Sequence, residues 1–256
     1  MRDLEITAVI ADQMEAAGGL VAAGLRLPFV FVACALPVNR EAAIPLPVMP
    51  WACATSQRAL ELNRTATRIY DRLVWPHEQV ILESAQSFGL PPRRTLADCL
   101  SPLAQISQTT AAFDFPRVDL PKHFYSVGPL RAAGFKDNKF DFLVNPSRPF
   151  VFASLGTLQG GRFWLFMQIA LACKAASFQL LIAHCNHLDE VQEQSLKNVG
   201  VTWVTASANQ QVAVKRAVVV VTVGGSNTVL DALAAGTPVL VLPIAFDQPG
   251  VAAPVA

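Results

Sequence analysis

The residues best suited to bind a charged ligand lie where an apolar segment runs into two glycines and then a helical segment. Gly224 and Gly225 allow the backbone to approach a ligand closely. The helix predicted over 226–235 offers unpaired N–H groups and a positive dipole end to an anion, so a pyrophosphate would fit there. A ligand-free alternative is a strand-to-helix turn with positive φ at one glycine and Ser226 as the N-cap.

Other candidate side chains also follow apolar segments. Ser154 and Thr157 form a second small loop with hydroxyl groups. Asp231 lies about one and a half turns along the predicted helix, so its carboxylate could reach a ribose diol. Asp247 and Gln248 place a carboxylate beside an amide, which together can accept and donate hydrogen bonds to vicinal sugar hydroxyls. The ligand-free alternatives are a solvated carboxylate at Asp231 and a surface turn at 247–248.

Metal chemistry has little support in the sequence. The chain contains no Asp-x-Asp pair. His184-Cys185-Asn186-His187 carries two imidazoles and a thiol, but residues this close rarely converge on a metal without a distant third ligand. We therefore predict no metal and no cofactor. Neutralisation of a leaving diphosphate would fall to the helix terminus and to hydroxyl donors.

Short apolar segments alternate with helical segments in the second half of the chain. This pattern predicts a parallel sheet covered by helices on both faces. Ligands in such sheets bind at the carboxyl ends of strands, which is where the candidate residues lie. The predicted strands are 150–153, 180–183, 202–205, 218–222 and 239–242.

The first half of the chain begins with a predicted βαβ unit. Its elements are a strand at 6–11, a helix at 15–24 and a strand at 29–33; helices at 55–74 and 77–87 and a strand at 123–127 follow. Residues 131–148 are rich in charge, Asn and Gly without a sustained period, and we interpret them as a linker. The predicted domains are therefore 1–130 and 149–256.

Composition excludes several classes of protein. The chain has 20 basic and 19 acidic residues and no run of like charge, which argues against a nucleic-acid partner. The apolar run 27–38 contains two prolines and is too short to cross a bilayer. No apolar signal core follows Met1, and the five cysteines are interpreted as reduced thiols, most of them buried. We expect a cytoplasmic protein and leave peripheral membrane contact open.

Taken together, these motifs resemble the donor-binding signature of family 1 glycosyltransferases, the UDP-glycosyltransferase superfamily. The matching residues, in order, are Ser154-Leu155-Gly156-Thr157, Gln210, the run from Gly224 to Asp231, Gly236-Thr237-Pro238 and the run from Pro243 to Pro249. Within the superfamily, residues 101–108, 152–160 and 181–185 look most like bacterial zeaxanthin glucosyltransferases. The likeness covers essentially the whole chain. It implies an α/β protein of GT-B type, with two Rossmann-like domains, parallel sheets and an incomplete amino-terminal domain.

The resemblance implies roles for the matching residues. The first domain would be a partial acceptor domain and the second a truncated nucleotide-sugar donor domain. The implied donor-binding residues are Ser154, Thr157, Gln210, Gly224, Gly225, Ser226, Asn227, Thr228, Asp231, Asp247 and Gln248. Ser154, Thr157 and the 225–228 loop would hold the diphosphate, with Gln210 near the uracil and Asp231 at the ribose. Asp247 and Gln248 would bind the glucose hydroxyls.

In the first domain, Asp12 matches the carboxylate that orients the catalytic histidine of these enzymes. Capping of the following helix is the alternative role for this side chain. The histidine itself lies, in the family, before the segment with which this chain begins. His77, His123, His184 and His187 do not match it.

The donor motif also departs from the family pattern at one position. The family has a histidine directly before the two glycines, whereas this chain has Val223. Loss of one hydrogen-bond donor would cost about 1 to 3 kcal/mol of nucleotide binding. The chain also stops shortly after Gln248, whereas the family continues. We therefore expect a fragment lacking both ends, with little activity by itself.

The expected function is transfer of glucose from UDP-glucose to a hydroxyl of a lipophilic acceptor. The resemblance points to zeaxanthin in carotenoid glycoside biosynthesis, by an inverting, metal-independent reaction. Residues 27–50 are apolar and are the expected wall of the acceptor site. The alternatives are a glycosyltransferase for another lipophilic natural product and a non-catalytic remnant that binds a nucleotide sugar.

Overall fold

A computed structural model describes residues 5–131 and 140–253. The chain divides into two compact units, the first extending to Leu130 and the second beginning at Arg131. Each unit is built on a parallel β-sheet, as the alternation of apolar and helical segments predicts. No helix among the described residues is long and apolar enough to span a membrane.

The first unit contains a four-stranded sheet whose strands are neighbours in chain order. The strands are β1 (Val9–Asp12), β2 (Phe29–Ala33), β3 (Ala104–Ser107) and β4 (Phe124–Ser126). Strand β3 is not among the predicted strands, because polar Gln105 and Ser107 interrupt its apolar pattern. Both side chains are buried and hydrogen-bonded, with Gln105 Nε2 donating to the carbonyl of Ser101 at 3.2 Å and Ser107 Oγ lying 2.7 Å from Thr109 Oγ1.

Helix α1 (Ala16–Gly24) packs on β1 and β2, and helix α2 (Gln57–Ser87) packs on α1. The prediction of two helices within α2 is wrong, because one helix continues through Pro76. An interior proline removes one backbone hydrogen bond and costs about 3 kcal/mol. Burial of Ile81 and Ala85 against Leu20 of α1 offsets this cost.

The segment between β2 and α2 is held by hydrogen bonds to its backbone. Gln13 Nε2 donates to the carbonyl of Leu36 at 3.0 Å, and Gln13 Oε1 accepts from the Val38 N–H at 3.2 Å. Arg117 donates to the carbonyls of Pro37 and Asn39 at 3.0 and 2.6 Å. The Arg117 guanidinium also forms a buried ion pair with Asp114, at 2.8 Å. These contacts fix the path of the apolar segment.

The second unit contains a five-stranded sheet with the order β7-β6-β5-β8-β9. Its strands are β5 (Phe150–Ser154), β6 (Gln179–Ala183), β7 (Trp203–Thr205), β8 (Val219–Thr222) and β9 (Val239–Val241). All five lie where the sequence predicts them. Because the first of them, β5, is central, the chain order reverses between β5 and β8. This is the Rossmann arrangement, in which ligands bind at the reversal.

Helices follow every strand of this sheet, and apolar side chains are buried on both faces. The helices are α3 (Gly156–Gln159), α4 (Phe163–Ala175), α5 (Glu190–Asn198), α6 (Gln210–Arg216), α7 (Ser226–Ala235) and α8 (Gln248–Ala252). The observed helix α7 has the predicted bounds. It ends at Gly236, whose φ of 69° is the left-handed conformation that favours glycine at a helix terminus.

Part of the segment interpreted as a linker packs on the second unit. The ring centroids of Phe140 and Phe150 lie 5.9 Å apart, and those of Phe142 and Trp203 lie 5.8 Å apart. The buried side chain of Gln179 both donates to and accepts from the backbone of Asn145, at 2.8 Å in each case. Residues 140–148 are therefore anchored to this unit, while 132–139 lie outside the described residues.

The cysteines are all free. The expectation that most of them are buried is wrong. Only Cys99 and Cys173 are buried, Cys53 and Cys185 are half-buried, and Cys34 is exposed.

The Gly19→Ala variant should lose stability, although alanine is the better helix former. A Cβ at Gly19 would lie 2.5 Å from the Cys99 carbonyl oxygen and 3.0 Å from the Phe31 ring. Overpacking of this kind costs about 1 to 3 kcal/mol. Thermal unfolding should show a lower midpoint for this variant. The control is Gly161→Ala, because a Cβ there meets only ordinary contacts at 3.8 and 3.9 Å; equal midpoints for the two variants would contradict the prediction.

Candidate functional site

Two of the predicted loops meet at the reversal of strand order in the second unit. Ser154, the last residue of β5, pairs in register with Thr222, the last residue of β8. Gly224 has a φ of 93°, and a Cβ there would lie 2.8 Å from Val241 Cγ1. Only glycine fits this position, because both its conformation and its space exclude a side chain. The loop therefore brings backbone close to the carboxyl end of the sheet.

The N-terminus of α7 opens onto this loop. Gly225 is the N-cap, not Ser226 as the ligand-free alternative assumes, and no side chain caps the helix. The Ser226 hydroxyl instead donates to Asp247 Oδ2 at 3.4 Å. A helix start without a capping side chain keeps N–H groups and a positive dipole end available to an anion.

Three of the predicted residues form one hydrogen-bonded network. Gln210, the first residue of α6, donates from Nε2 to Asp231 Oδ2 at 2.8 Å. Gln210 Oε1 accepts from the Thr228 hydroxyl at 3.1 Å. The Asp231 side chain is only 13% exposed, so the alternative of a solvated surface carboxylate is wrong. The network joins the first turn of α6 to α7 and orients groups predicted to bind uracil, phosphate and ribose.

Arg131 extends the network and was not predicted. Its Nε and Nη2 donate to Asp231 Oδ1 at 3.1 and 2.8 Å. Its Nη1 donates to Asn227 Oδ1 at 3.1 Å. The residue falls in the segment interpreted as a linker and belongs to no recognisable motif. The sequence carries no signal for this contact, because it joins residues 100 positions apart.

The Gln248 side chain forms hydrogen bonds with the backbone of its own loop. Its Oε1 accepts from the N–H groups of Ile244 and Ala245, both at 2.8 Å. The side chain is buried, which does not fit the surface-turn alternative. Its Nε2 makes no hydrogen bond within the part of the chain that the structure describes, so the amide donor is the group that remains for a ligand.

The loop after β6 lies against the loop after β5. His187 Nε2 is 2.6 Å from the carbonyl oxygen of Thr157, whose side chain is exposed. The half-buried Cys185 and the adjacent Asn186 have φ of 55° and 63°, an uncommon left-handed conformation for residues with side chains. Burial raises the pKa of the Cys185 thiol, and a hydrogen bond with Ser154 partly opposes that rise.

The two histidines of this loop do not converge. His184 Nε2 pairs with Glu193 Oε1 at 3.0 Å, and His184 Nδ1 accepts from the Leu188 N–H at 3.1 Å. His187 bonds a backbone carbonyl instead. Among the described residues, no group of three or more His, Cys, Asp or Glu side chains could hold a metal ion.

Val223 takes the place at which the resemblance implies a histidine. Its side chain is 3% exposed and belongs to the apolar core that includes Leu155 and Val221. This position therefore contributes packing to the sheet and no polar group to the loop.

In the first unit, Asp12 ends β1 as predicted. Its Oδ1 accepts from the Met14 N–H at 2.8 Å, in the turn before α1. The capping alternative is wrong, because Glu15 is the N-cap of α1 and no side chain caps that helix. Although the residue as a whole is exposed, partial desolvation of the Cys34 thiol raises its pKa. A hydrogen bond and charge repulsion from the Asp12 carboxylate raise it further, while a hydrogen bond with Gln108 lowers it. Asp12, Cys34 and Gln108 therefore meet beyond the carboxyl ends of β1, β2 and β3.

No histidine is hydrogen-bonded to Asp12 in the ranges 5–131 and 140–253. His123 Nε2 lies 3.4 Å from Gln105 Nε2. His184 and His187 belong to the second unit and have the partners described above. The contacts of Asp12 are instead with the Met14 N–H and the Cys34 thiol.

The apolar segment of the first unit borders a cavity of about 370 Å³. Val38, Ile44 and Leu46 supply apolar walls, and Arg64 and Arg68 of α2 supply charge. A cavity of this size, with mostly apolar walls, suits a small organic group.

Comparison with known proteins identifies the class to which this architecture belongs. Residues 160–250 match the glycosyltransferase family 28 C-terminal domain. This domain match and the two parallel α/β units give the chain the GT-B fold, the fold of solved glycosyltransferases.

Two curated relatives of the chain are zeaxanthin glucosyltransferases, as the motifs predict. The chain is 52% identical to the Pseudescherichia vulneris protein over 253 residues, which are 99% of this chain and 60% of the relative. It is 49% identical to the Pantoea ananas protein over 251 residues, which are 98% of this chain and 58% of the relative. The chain thus spans about three fifths of the length of these relatives.

Solved glycosyltransferases share the fold at low sequence identity. The glycotransferase of kitacinnamycin aligns with a TM-score of 0.71 and 18% identity, over 99% of this chain and 62% of that structure. The Streptomyces glycosyltransferase SsfS6, solved in complex with thymidine diphosphate, aligns with a TM-score of 0.56 and 16% identity. That alignment covers 99% of this chain and 56% of that structure. These likenesses support the GT-B fold.

The Gln248→Ala variant should be destabilised by about 1 to 3 kcal/mol, because it leaves two backbone N–H groups without their acceptor. The control is Gln248→Glu, which keeps an acceptor oxygen at the same reach. Chemical denaturation of both variants measures the difference. An alanine variant as stable as the unchanged chain would show that the 243–248 loop does not depend on this side chain.

Proposed function

We propose that this chain belongs to an enzyme that transfers glucose from UDP-glucose to a hydroxyl of zeaxanthin, in carotenoid glycoside biosynthesis. The observation that carries the proposal is the network of Gln210, Thr228 and Asp231 beside the Gly224 loop, at the reversal of strand order. It joins polar groups suited to a base, a phosphate and a ribose in one unit. The zeaxanthin glucosyltransferase relatives support the choice of sugar and acceptor.

The donor would lie along the carboxyl ends of β5 and β8. The diphosphate would accept hydrogen bonds from the first turn of α7 and from the hydroxyls of Ser154 and Thr157. Uracil would lie near Gln210 and the ribose diol at Asp231. The thymidine diphosphate bound by SsfS6 supports a nucleoside diphosphate as the ligand of this fold.

The glucose would be recognised by Asp247 and Gln248. Asp247 offers carboxylate oxygens as acceptors, and Gln248 offers the Nε2 donor that its own loop does not use. This division follows from the buried position of Gln248. The proposed role of Gln248 is thus narrower than its residue type suggests.

The proposed reaction is a single displacement without a metal. The acceptor oxygen forms a bond to the anomeric carbon of glucose, and the bond from that carbon to UDP breaks with its electron pair leaving on UDP. Attack from the face opposite the leaving group inverts the configuration. The acceptor proton passes to a histidine that Asp12 orients, and general-base help of this kind is worth about 10² to 10⁴ in rate.

The acceptor would bind in the first unit. Residues 27–50 are apolar, and the adjoining cavity of about 370 Å³ has apolar walls beside Asn63 and Thr67 of α2. A cavity of this volume would take one end of a long apolar molecule. Because such an acceptor partitions into membranes, the proposed enzyme is a cytoplasmic protein that contacts the membrane surface.

A second candidate is a non-catalytic protein that binds a nucleotide sugar. It is favoured by the burial of Val223 in the core and by the absence of a histidine among the described partners of Asp12. Transfer to another lipophilic natural product is the other alternative, in line with the kitacinnamycin enzyme. Turnover with zeaxanthin and with other acceptors separates these functions.

Nucleotide binding can be measured by calorimetric titration of this chain with UDP. We expect saturable binding, and a loss of roughly tenfold or more in Asp231→Asn, because hydrogen bonds to a charged group contribute about 1.5 to 3 kcal/mol. The control is Asp189→Asn, which retains an N-cap residue on α5, away from the network. No detectable binding at millimolar UDP would refute the proposed donor site.

Transfer can be measured with UDP-glucose and zeaxanthin on the whole protein that contains this chain. Asp12→Asn should lower kcat by about 10² to 10⁴, because the amide no longer stabilises a charged histidine. Asp119→Asn, at an exposed position, should leave kcat unchanged.

We also propose that residues 1–256 alone turn over little substrate, so rapid turnover by them would overturn the assignment of the base.

A further inference from the structure

We infer that Arg131 is an internal competitor of the nucleotide ribose. In the described structure its guanidinium occupies the carboxylate of Asp231, the group to which we assign the ribose diol. The inference rests on the proposed donor site and adds a residue that sets the affinity of that site for its ligand.

The hydrogen-bonding capacity of Asp231 is almost filled by protein donors. A carboxylate has about four acceptor positions, two on each oxygen. Oδ1 accepts from Nε and Nη2 of Arg131, at 3.1 and 2.8 Å. Oδ2 accepts from Nε2 of Gln210, at 2.8 Å. One position remains, whereas a ribose diol donates two hydrogen bonds, so bidentate recognition requires Arg131 to leave.

Arg131 also contacts Asn227, which lies on helix α7 together with Asp231. Its Nη1 donates to Asn227 Oδ1 at 3.1 Å, and its Nη2 lies 3.4 Å from the carbonyl oxygen of Asn227. Because Asn227 and Asp231 are four residues apart, they lie on one face of α7. The rigid, planar guanidinium fits both partners at once.

The contact can open on the Arg131 side, while Gln210 continues to donate to Asp231. The Arg131 side chain is 30% exposed, so its guanidinium can move into water, whereas Asp231 at 13% stays in the site. Binding of a ribose and pairing with Arg131 therefore exclude each other. The apparent binding constant for the nucleotide is the intrinsic constant multiplied by the fraction of molecules in which the pair is open.

The penalty falls only on ligands with a ribose diol, which gives the inference a sharp test. We would measure by calorimetry the dissociation constants of UDP and of its 2′,3′-dideoxy analogue. The ratio of the analogue's constant to that of UDP is then compared between the unchanged chain and Arg131→Ala. Removing the competitor should raise the preference for UDP by roughly two- to fivefold, the range expected for a partly exposed ion pair. A change in long-range charge would alter both ligands equally and leave the ratio unchanged.

Two further variants complete the experiment. Arg148→Ala removes an arginine that donates to the carbonyls of Ser177 and Phe178, and it should leave the ratio unchanged. Arg131→Gln removes the charge and the guanidinium fork but keeps a polar side chain, so it replaces the alanine variant if that one unfolds. It should also raise the ratio.

The outcomes separate the inference from the function on which it rests. A chain that binds UDP, but whose ratio is unchanged or lower in Arg131→Ala, overturns the inference and leaves the donor site intact. Absence of UDP binding in both the unchanged chain and Arg131→Ala overturns both.

Discussion

The second unit depends on the reversal of strand order beside its central strand. Helices leave β5 and β8 toward opposite sides of the sheet, so their carboxyl ends border a crevice that no crossover connection fills. Ser154 and Thr222 mark the two edges of that crevice. Every donor-binding role proposed for this unit is a consequence of which loops reach it.

The Gly224 loop brings backbone and the start of α7 to this crevice. A side chain at Gly224 would collide with Val241 on β9, so the loop can pass close to the sheet only because this residue is glycine. The same turn directs Val223 into the core and starts α7 at the crevice. Close packing and an accessible helix start are therefore produced by one change of direction in the backbone.

The sequence predicts this half of the molecule well because its strands are short and mostly apolar and its turns contain glycine. The bounds of α7 follow from an apolar helix that ends at Gly236. The sequence fails where a contact between distant residues decides the structure. Strand β3 contains Gln105 and Ser107, whose polarity is satisfied only by the fold. The pairing of Arg131 with Asp231 cannot be predicted from the residues that neighbour either one in the sequence.

The hydrogen bonds that hold the segment after β2 have a consequence for how the first unit can change during evolution. Gln13 and Arg117 bind backbone atoms of residues 36–39, not their side chains. The backbone path of residues 36–39 therefore does not depend on which side chains these residues carry. Substitutions along the cavity wall can alter the shape and polarity of the cavity while the backbone keeps the same path, so the cavity can change the ligand it fits without a new fold.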